Sequence, residues 1–439
     1  MGKLHIDELR PGMKLGEDVR GLRNRKLFPA GTVIAEEQIA TMKAWGVTEA
    51  EIEGVSRGTL PPPTPPEVPP AALEAARLVL EDAFQGSQQG NEFLEELFRL
   101  CTVRTGLRIY KGTFTPITEG QLARLRAQCS PLVDATPPPN SAGQKMGTSL
   151  PVGGAEQTVA SAEALVACEI PLLSAPTVYL QVLREMESPA CSARRMGEIV
   201  SRDPGLTAKI LQLVNSPFYG FPSSIDSIER AITILGGNEL STLALGITAV
   251  ESFAHVPSEI LNMRHFWEHS ISCGVFARLL AGGRPGLSEE RFFVAGLLHD
   301  VGMLLLLRRL PQAQCRALLL ARSHKISLHE AERQVHGFDH GEVGGCLLEA
   351  WGIPDTLVRL VRFHHEPLGH QPQPDLSLMY LADLMALSLR SDDYGAFYIG
   401  GVPSRLLEAV GLPPSALEPM LIQHQRQMDD MLRVFFGAA

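Results

Sequence analysis

The stretch Phe292-Phe293-Val294-Ala295-Gly296-Leu297-Leu298-His299-Asp300-Val301-Gly302 decides the reading of this chain, because an apolar run delivers an imidazole and a carboxylate side by side. Two cation-binding groups at the end of a segment apolar enough to be buried are costly unless they are paired or hold a metal. Further histidines and an aspartate follow at positions that can converge on the same place, so residues from about 265 to 385 read as a helical domain with a candidate metal centre. On a helix, neighbouring side chains point about 100° apart. His299 with Asp300, or His364 with His365, can therefore each address two ions, or one ion and one substrate oxygen.

The rest of the composition bounds what such a centre serves. A chain of 439 residues exceeds one ordinary core and suggests two to four units. With 45% apolar residues, most of it can order. A net charge of −10 and a pI near 5.8 argue against a nucleic-acid surface, which needs a basic face. The seven cysteines are scattered without a C-x-x-C pair, so neither a disulfide framework nor a zinc ribbon is expected, and a reducing cytoplasm fits. No signal-peptide core and no apolar run of about 20 residues is present, so no membrane segment is expected.

Residues 1–58 read as a small β-containing module. Strand-compatible pieces at Met13 to Val19 and Lys26 to Phe28 are punctuated by Pro11-Gly12 and Pro29-Ala30-Gly31, and a helix is predicted from Ala35 to Trp45. Residues 59–70 form a stiff spacer with seven prolines. Helical periodicity marks Ala71 to Phe84, Asn91 to Cys101 and Glu119 to Cys129 within a middle segment, 71–136, to which the sequence assigns no function. Residues 137–160, rich in Pro, Gly and Ser, read as a second linker ahead of a carboxy-terminal unit spanning 161–436. In that unit, Met196 to Val200, the Asp203-Pro204 helix opening, the stripe Leu206, Ile210, Leu213 and Val214, and the buried helix around Leu240 to Val250 predict packed helices.

Three quoted stretches carry a resemblance. "IPLLSAPTVYLQVL…EIVSRDPGLTAKILQLVNSPFYG…SSIDSIERAITILGGNEL", "FWEHSISCGVFARLL…FFVAGLLHDVGMLLL" and "HGFDHGEVGGCLLEAWGIPDTLVRLVRFHHEP" arrive in the order seen in the HDOD family, the HD-related output domain. The likeness covers roughly residues 161 to 390. It implies a mainly α, HD-superfamily helical fold, with amino-terminal helices at 161–260, metal-site helices at 261–390 and closing helices at 391–436. The opening pattern "ELRPGMKLGEDV…LFPAGTVI…MKAWGV" likewise resembles the small module found ahead of HD-GYP-type signalling domains.

Of thirteen histidines, eleven fall between His255 and His370. Mapped onto the HD superfamily, His269 matches the first histidine, His299 and Asp300 the signature pair, and Asp383 the closing aspartate. His340, His364 and His365 match the extra histidines of HD-GYP phosphodiesterases. Imidazole and carboxylate without thiolate suit divalent Fe, Mn or Zn. His255, His265, His324, His329 and His336 are set aside as ordinary surface or hydrogen-bonded imidazoles. Trp267 and Trp351 are expected in the core. Glu332 fits a supporting residue behind the ligands and a solvated helix face equally well.

Two departures from the enzyme pattern stand out. Met303 follows Gly302 where active HD-GYP enzymes carry lysine, and no Gly-Tyr-Pro follows His365-Glu366-Pro367. The expectation is therefore a cytoplasmic bacterial signalling output protein that acts through a protein partner, with a divalent-metal centre and no catalytic residue. The alternative is a metal-dependent phosphohydrolase or phosphodiesterase acting on a nucleotide or cyclic dinucleotide through His299 and Asp300, and a third reading is a scaffold with an empty pocket.

Overall fold

The structure is a computed structural model and describes residues 2–5, 9–20, 26–44, 47, 49–53, 68–114, 159–169, 177–186, 188, 190–221, 223–253, 261–367, 373–389 and 398–437. The helix expected over 119–129 and the linker at 137–158 lie outside them, as does the spacer up to residue 67.

Residues up to 53 build a small module from two antiparallel ladders, β1 (Gly2–His5) with β4 (Glu49–Ile52) and β2 (Val19–Arg20) with β3 (Lys26–Phe28), plus one helix, α1 (Glu36–Ala44). Leu15, Ile34, Met42 and Ile52 close its core. The piece from Met13 to Val19 is less regular than expected. It makes isolated bridges at Lys14 and Leu15, bends, and enters a strand only at Val19.

Every regular element described after it is a helix. Pro70 opens α2 (Pro70–Phe84) at the one place where its missing N–H is harmless, and Asn91 caps α3 (Glu92–Tyr110) by accepting from the Leu94 N–H. Next come α4 (Ala162–Glu169), α5 (Thr177–Met186), α6 (Ala193–Val200), α7 (Pro204–Val214) and α8 (Ile228–Leu235). Ser192, Asp203 and Ser227 cap the last three with their side chains. The Gly236-Gly237 break separates α8 from α9 (Gly237–Phe253), with Gly236 at φ +101°, a conformation that favours glycine.

The second half contains α10 (Met263–Ala281), α11 (Glu289–Leu298), α12 (Val301–Arg309), α13 (Pro311–His324), α14 (Leu328–His336), α15 (His340–Ala350) and α16 (Asp355–Arg362). It closes with α17 (Pro374–Ser388), α18 (Ser404–Val410) and α19 (Leu417–Phe436). None of the described helices is long and apolar enough to cross a membrane.

α10 and α11 are the axis of the bundle. Every residue from His269 to Ala281 and from Phe292 to Leu298 is buried, as a helix without a polar face requires. Phe276, Phe292 and Phe293 have no appreciable exposure, and burying each contributes about 1.5–3 kcal/mol. Trp267 and Trp351 are core residues, as expected.

The α2–α3 hairpin joins this same core through Leu80, Phe84, Phe93 and Leu94. Polar ties reinforce it. The Ile399 N–H donates to the Ala83 carbonyl at 3.0 Å, the Asn91 side chain donates to the Val402 carbonyl at 3.1 Å, and Cys101 lies against Ser388 at 3.4 Å. α1 in turn rests beside α19.

Candidate metal centre

The seven residues singled out in the sequence come from five places. His269 sits on α10, His340 opens α15 behind its cap Asp339, and Asp383 lies within α17. The other four are not inside helices. α11 stops at Leu298, and α12 starts at Val301, so His299 and Asp300 occupy the corner between them. His364 and His365 follow the end of α16 at Arg362. The helical spacing expected for these two tandems is thereby corrected: each tandem turns inward at a helix end. Asp300 precedes α12 as its N-terminal flanking residue yet makes no capping bond, which leaves its carboxylate for the site while the helix N-terminus favours its charge.

The side chains meet. From His269 Nε2 it is 3.5 Å to Asp300 Oδ2 and 3.2 Å to Asp383 Oδ1. From His299 Nε2 it is 3.2 Å to Asp300 Oδ1 and 3.4 Å to Asp383 Oδ1. His340 Nε2 lies 3.2 Å and His364 Nε2 3.9 Å from Asp300 Oδ1, and His365 Nε2 lies 2.8 Å from His340 Nε2. An ion held at about 2.1 Å requires donor atoms about 3.0 to 3.4 Å apart at its vertices. Most of these spacings are those of a coordination shell.

Tautomers point the same way. The backbone carbonyls of Gly296 and Val361 can only accept, so His299 Nδ1 (2.7 Å) and His364 Nδ1 (2.6 Å) must carry the proton. Glu332 does the same for His340, taking its Nδ1–H at 2.5 Å and its backbone N–H at 2.9 Å. Each neutral ring then offers an Nε2 lone pair to the common space, the arrangement that a metal-binding histidine needs. His299 Nε2, His364 Nε2 and Asp383 Oδ1 are buried without a hydrogen bond. Buried polar atoms are ordinarily satisfied, and a cation among them would satisfy all three. The residues therefore fit a divalent ion, and they divide into two groups able to hold one each: His269, His299 and Asp300, and His340, His364 and His365.

Electrostatics divide the rings: His364 and His365 are held neutral, whereas His299 and His340 favour a positive charge at Nε2, a proton that a bound cation would displace. Burial, with the charges of His299 and His340 nearby, pushes His364 down to about 3, and burial with its histidine neighbours holds His365 well below its ordinary value. Burial works against charge on His299 and His340, but the Asp300 carboxylate beside His299 and Glu332 beside His340 outweigh it and hold both well above the usual imidazole value. Burial opposes the charge on Asp300 and Asp383 as well, and the adjacent imidazoles nonetheless hold both carboxylates well below their usual range. Cys273 lies beside His299 and Asp383, and burial pushes its thiol up to about 11, so it is no thiolate at neutral pH.

Glu332 is wholly buried, and its second oxygen accepts from Gln314 Nε2 at 2.6 Å. Of its two sequence readings, the supporting one matches the geometry. His329, set aside in the sequence, stacks on His365 with ring centroids 4.1 Å apart and lines a cavity of about 290 Å³ beside the cluster. Tyr380 and Tyr398 line it too, and no sequence signal marked them. Met303 occupies part of the wall where a lysine would have supplied charge.

The HDOD domain family model matches residues 172–367. An uncharacterised protein of Treponema pallidum (strain Nichols) is 24% identical over 263 residues, 59% of this chain and 48% of that protein, so the chain spans about half the length of this relative. An HDOD domain protein with unknown function from Geobacter sulfurreducens is similar in structure at TM-score 0.49 and 22% identity, over 63% of this chain and 98% of the other. The MmoQ response regulator from Methylococcus capsulatus (strain Bath) is similar at TM-score 0.32 and 22% identity, over 56% of this chain and 96% of the other.

Proposed function

We propose that this chain, whose residues 172–367 match the HDOD domain model, is a bacterial signalling output protein in which a divalent-metal centre, held by His269, His299, Asp300, His340, His364, His365 and Asp383, fixes the conformation shown to a protein partner. One observation supports this most: His299, His340 and His364 each spend Nδ1–H on an acceptor behind them and turn Nε2 toward Asp300. Fe, Mn and Zn all suit these donors. An ion there would tie α10, the α11–α12 corner, α15, the end of α16 and α17 together, and loading would stabilise the fold by mass action.

Metal analysis of anaerobically purified protein tests the centre. At least one equivalent of a divalent transition metal is expected, falling on replacement of His299 and Asp300 together by alanine. Protein that remains folded but takes up no metal overturns the reading.

A metal-dependent phosphohydrolase is the second reading, supported by the complete ligand set. A bound ion would lower the pKa of a coordinated water. Against it, the cavity wall at Met303 is a thioether, which offers a phosphate no charge. Metal-dependent turnover of nucleoside phosphates or cyclic dinucleotides, lost in the His299→Ala, Asp300→Ala double variant, would establish this second reading in place of the first.

A further inference from the structure

The cavity beside the metal centre has a chemistry of its own. Its volume of about 290 Å³ lies at the small end of ligand sites. Leu328, Leu384, Leu387, Ile399 and Met303 supply an apolar wall, and the floor is the ligand cluster itself, with His269, Asp300, His340, His365 and Asp383 exposed to it.

Charge narrows the ligand further. Among the described lining residues there is no lysine or arginine, while Glu330 adds a carboxylate to those of Asp300 and Asp383. His329 lies in the wall with its ring stacked on His365, centroids 4.1 Å apart. A phosphate dianion or a nucleotide would enter with two or more negative charges and meet no lysine or arginine among the described lining residues, and the carboxylate of Glu330 besides. The neutral hydroxyl donors among the described lining residues are those of Tyr380, Tyr398 and Ser327. Burial raises Tyr380 to about 12, so its hydroxyl remains a donor at neutral pH.

We propose that this cavity binds a small monoanionic carboxylate with an apolar body, its head on the metal ions and the Tyr380 hydroxyl and its tail along Leu328, Leu384 and Leu387. The inference rests on the metal-centre reading. Two divalent ions would outweigh the buried carboxylates of Asp300, Asp383 and Glu332, so an anionic head is drawn to the ions, while the exposed Glu330 carboxylate at the cavity disfavours a ligand of higher negative charge.

The full chain is first loaded with Co²⁺ and its metal content measured, then titrated calorimetrically with acetate, butyrate, hexanoate, inorganic phosphate and AMP. Expected is binding that tightens about fourfold for each buried methylene from acetate to hexanoate, with a change in the cobalt spectrum. Phosphate and AMP should bind more weakly than hexanoate. Tyr380→Phe should weaken hexanoate roughly tenfold, and Leu387→Glu should abolish the chain-length dependence, both with cobalt content unchanged. Cobalt-loaded protein that ignores chain length, or prefers phosphate or AMP, overturns the carboxylate proposal and leaves the metal centre standing. Protein that takes up no cobalt overturns both, and does so before any ligand is added.

Discussion

Glu332 and His424 are buried for opposite purposes. Glu332 accepts from His340 Nδ1, His340 N and Gln314 Nε2 and so orients a proposed metal ligand from behind. Glu332→Gln must turn an amide N–H₂ toward one of those donors. Metal affinity should fall about 10- to 100-fold while the fold persists, as competition with a chelator would read, and unchanged affinity would remove Glu332 from any supporting role. His424 stacks on Phe276 with centroids 4.0 Å apart and meets Ser272 Oγ at 2.7 Å. Burial, then the charge of Arg104, holds it well below the ordinary imidazole value. A folded pKa below the unfolded value of about 6.5 means that the unfolded chain binds the extra proton, so His424 contributes stability above that pH that is lost as pH falls through it. Denaturant melts between pH 8 and 5 should show His424→Gln losing less stability on acidification than the parent, the difference steepening toward about 1.4 kcal/mol per pH unit. Parallel profiles would rule this out. The site was legible at this scale wherever a residue type and a family position coincided. The seven ligand candidates occupy one cluster, whereas His329, Tyr380 and Tyr398 carried no such mark, since single residues drawn into a cavity by tertiary packing leave no period in the sequence.

Helix ends and helix crossings, more than helix interiors, shape the centre. α10 and α11 cross where glycines face each other: a Cβ built on Gly296 would lie 2.5 Å from the Gly274 backbone, and one on Gly274 would lie 2.6 Å from the Phe293 carbonyl. That closeness brings His269 and His299 to a ring separation of 5.1 Å, and the Gly296 carbonyl also fixes the His299 tautomer. Gly302 does the same for α12 against α15, since its Cβ would overlap the His340 carbonyl. Gly296→Ala and Gly302→Ala should each cost about 3 kcal/mol or more, because backbone on both sides must part. Urea midpoints within about 0.5 kcal/mol of the parent would show that the crossing relaxes freely. Apolar stripes made most helices readable to within a few residues. α3 runs on to Tyr110, well past Cys101, because its buried positions there are Thr105 and Gly106, the latter within 3.1 Å of Leu73 and Val68 side chains for an added Cβ. Small residues at a tight helix contact erase the periodicity on which such a reading depends. The tandems at 299–300 and 364–365 were placed on helices for a related reason: apolar runs lead into them, and what ends the helices is tertiary.

At the scale of the whole molecule, the middle segment gains a role that its composition could not suggest. The α2–α3 hairpin shares the main core, and through the Ala83 carbonyl and the Asn91 side chain it holds residues 399 to 402, immediately beside the cavity wall formed by Tyr398, Ile399 and Gly400. Sequence periodicity marked the hairpin as helical, but contacts spanning some 311 positions, from Asn91 to Val402, are invisible to it. Two variants at position 91 separate the hairpin's stability from its hold on the cavity. Asn91→Asp keeps a side-chain oxygen for the Leu94 N–H, preserving the cap and favouring the helix dipole, yet turns a donor into an acceptor facing the Val402 carbonyl. Asn91→Ala loses both bonds and should cost about 1–2 kcal/mol. If the hairpin governs the cavity, the aspartate variant should melt close to the parent and bind the same amount of metal while its affinity for hexanoate drops severalfold, a pattern that cap loss alone cannot produce. Hexanoate binding that follows stability across both variants, weak only in the alanine protein, would show that residues 398 to 400 keep their place without the tie and that the hairpin serves the core alone.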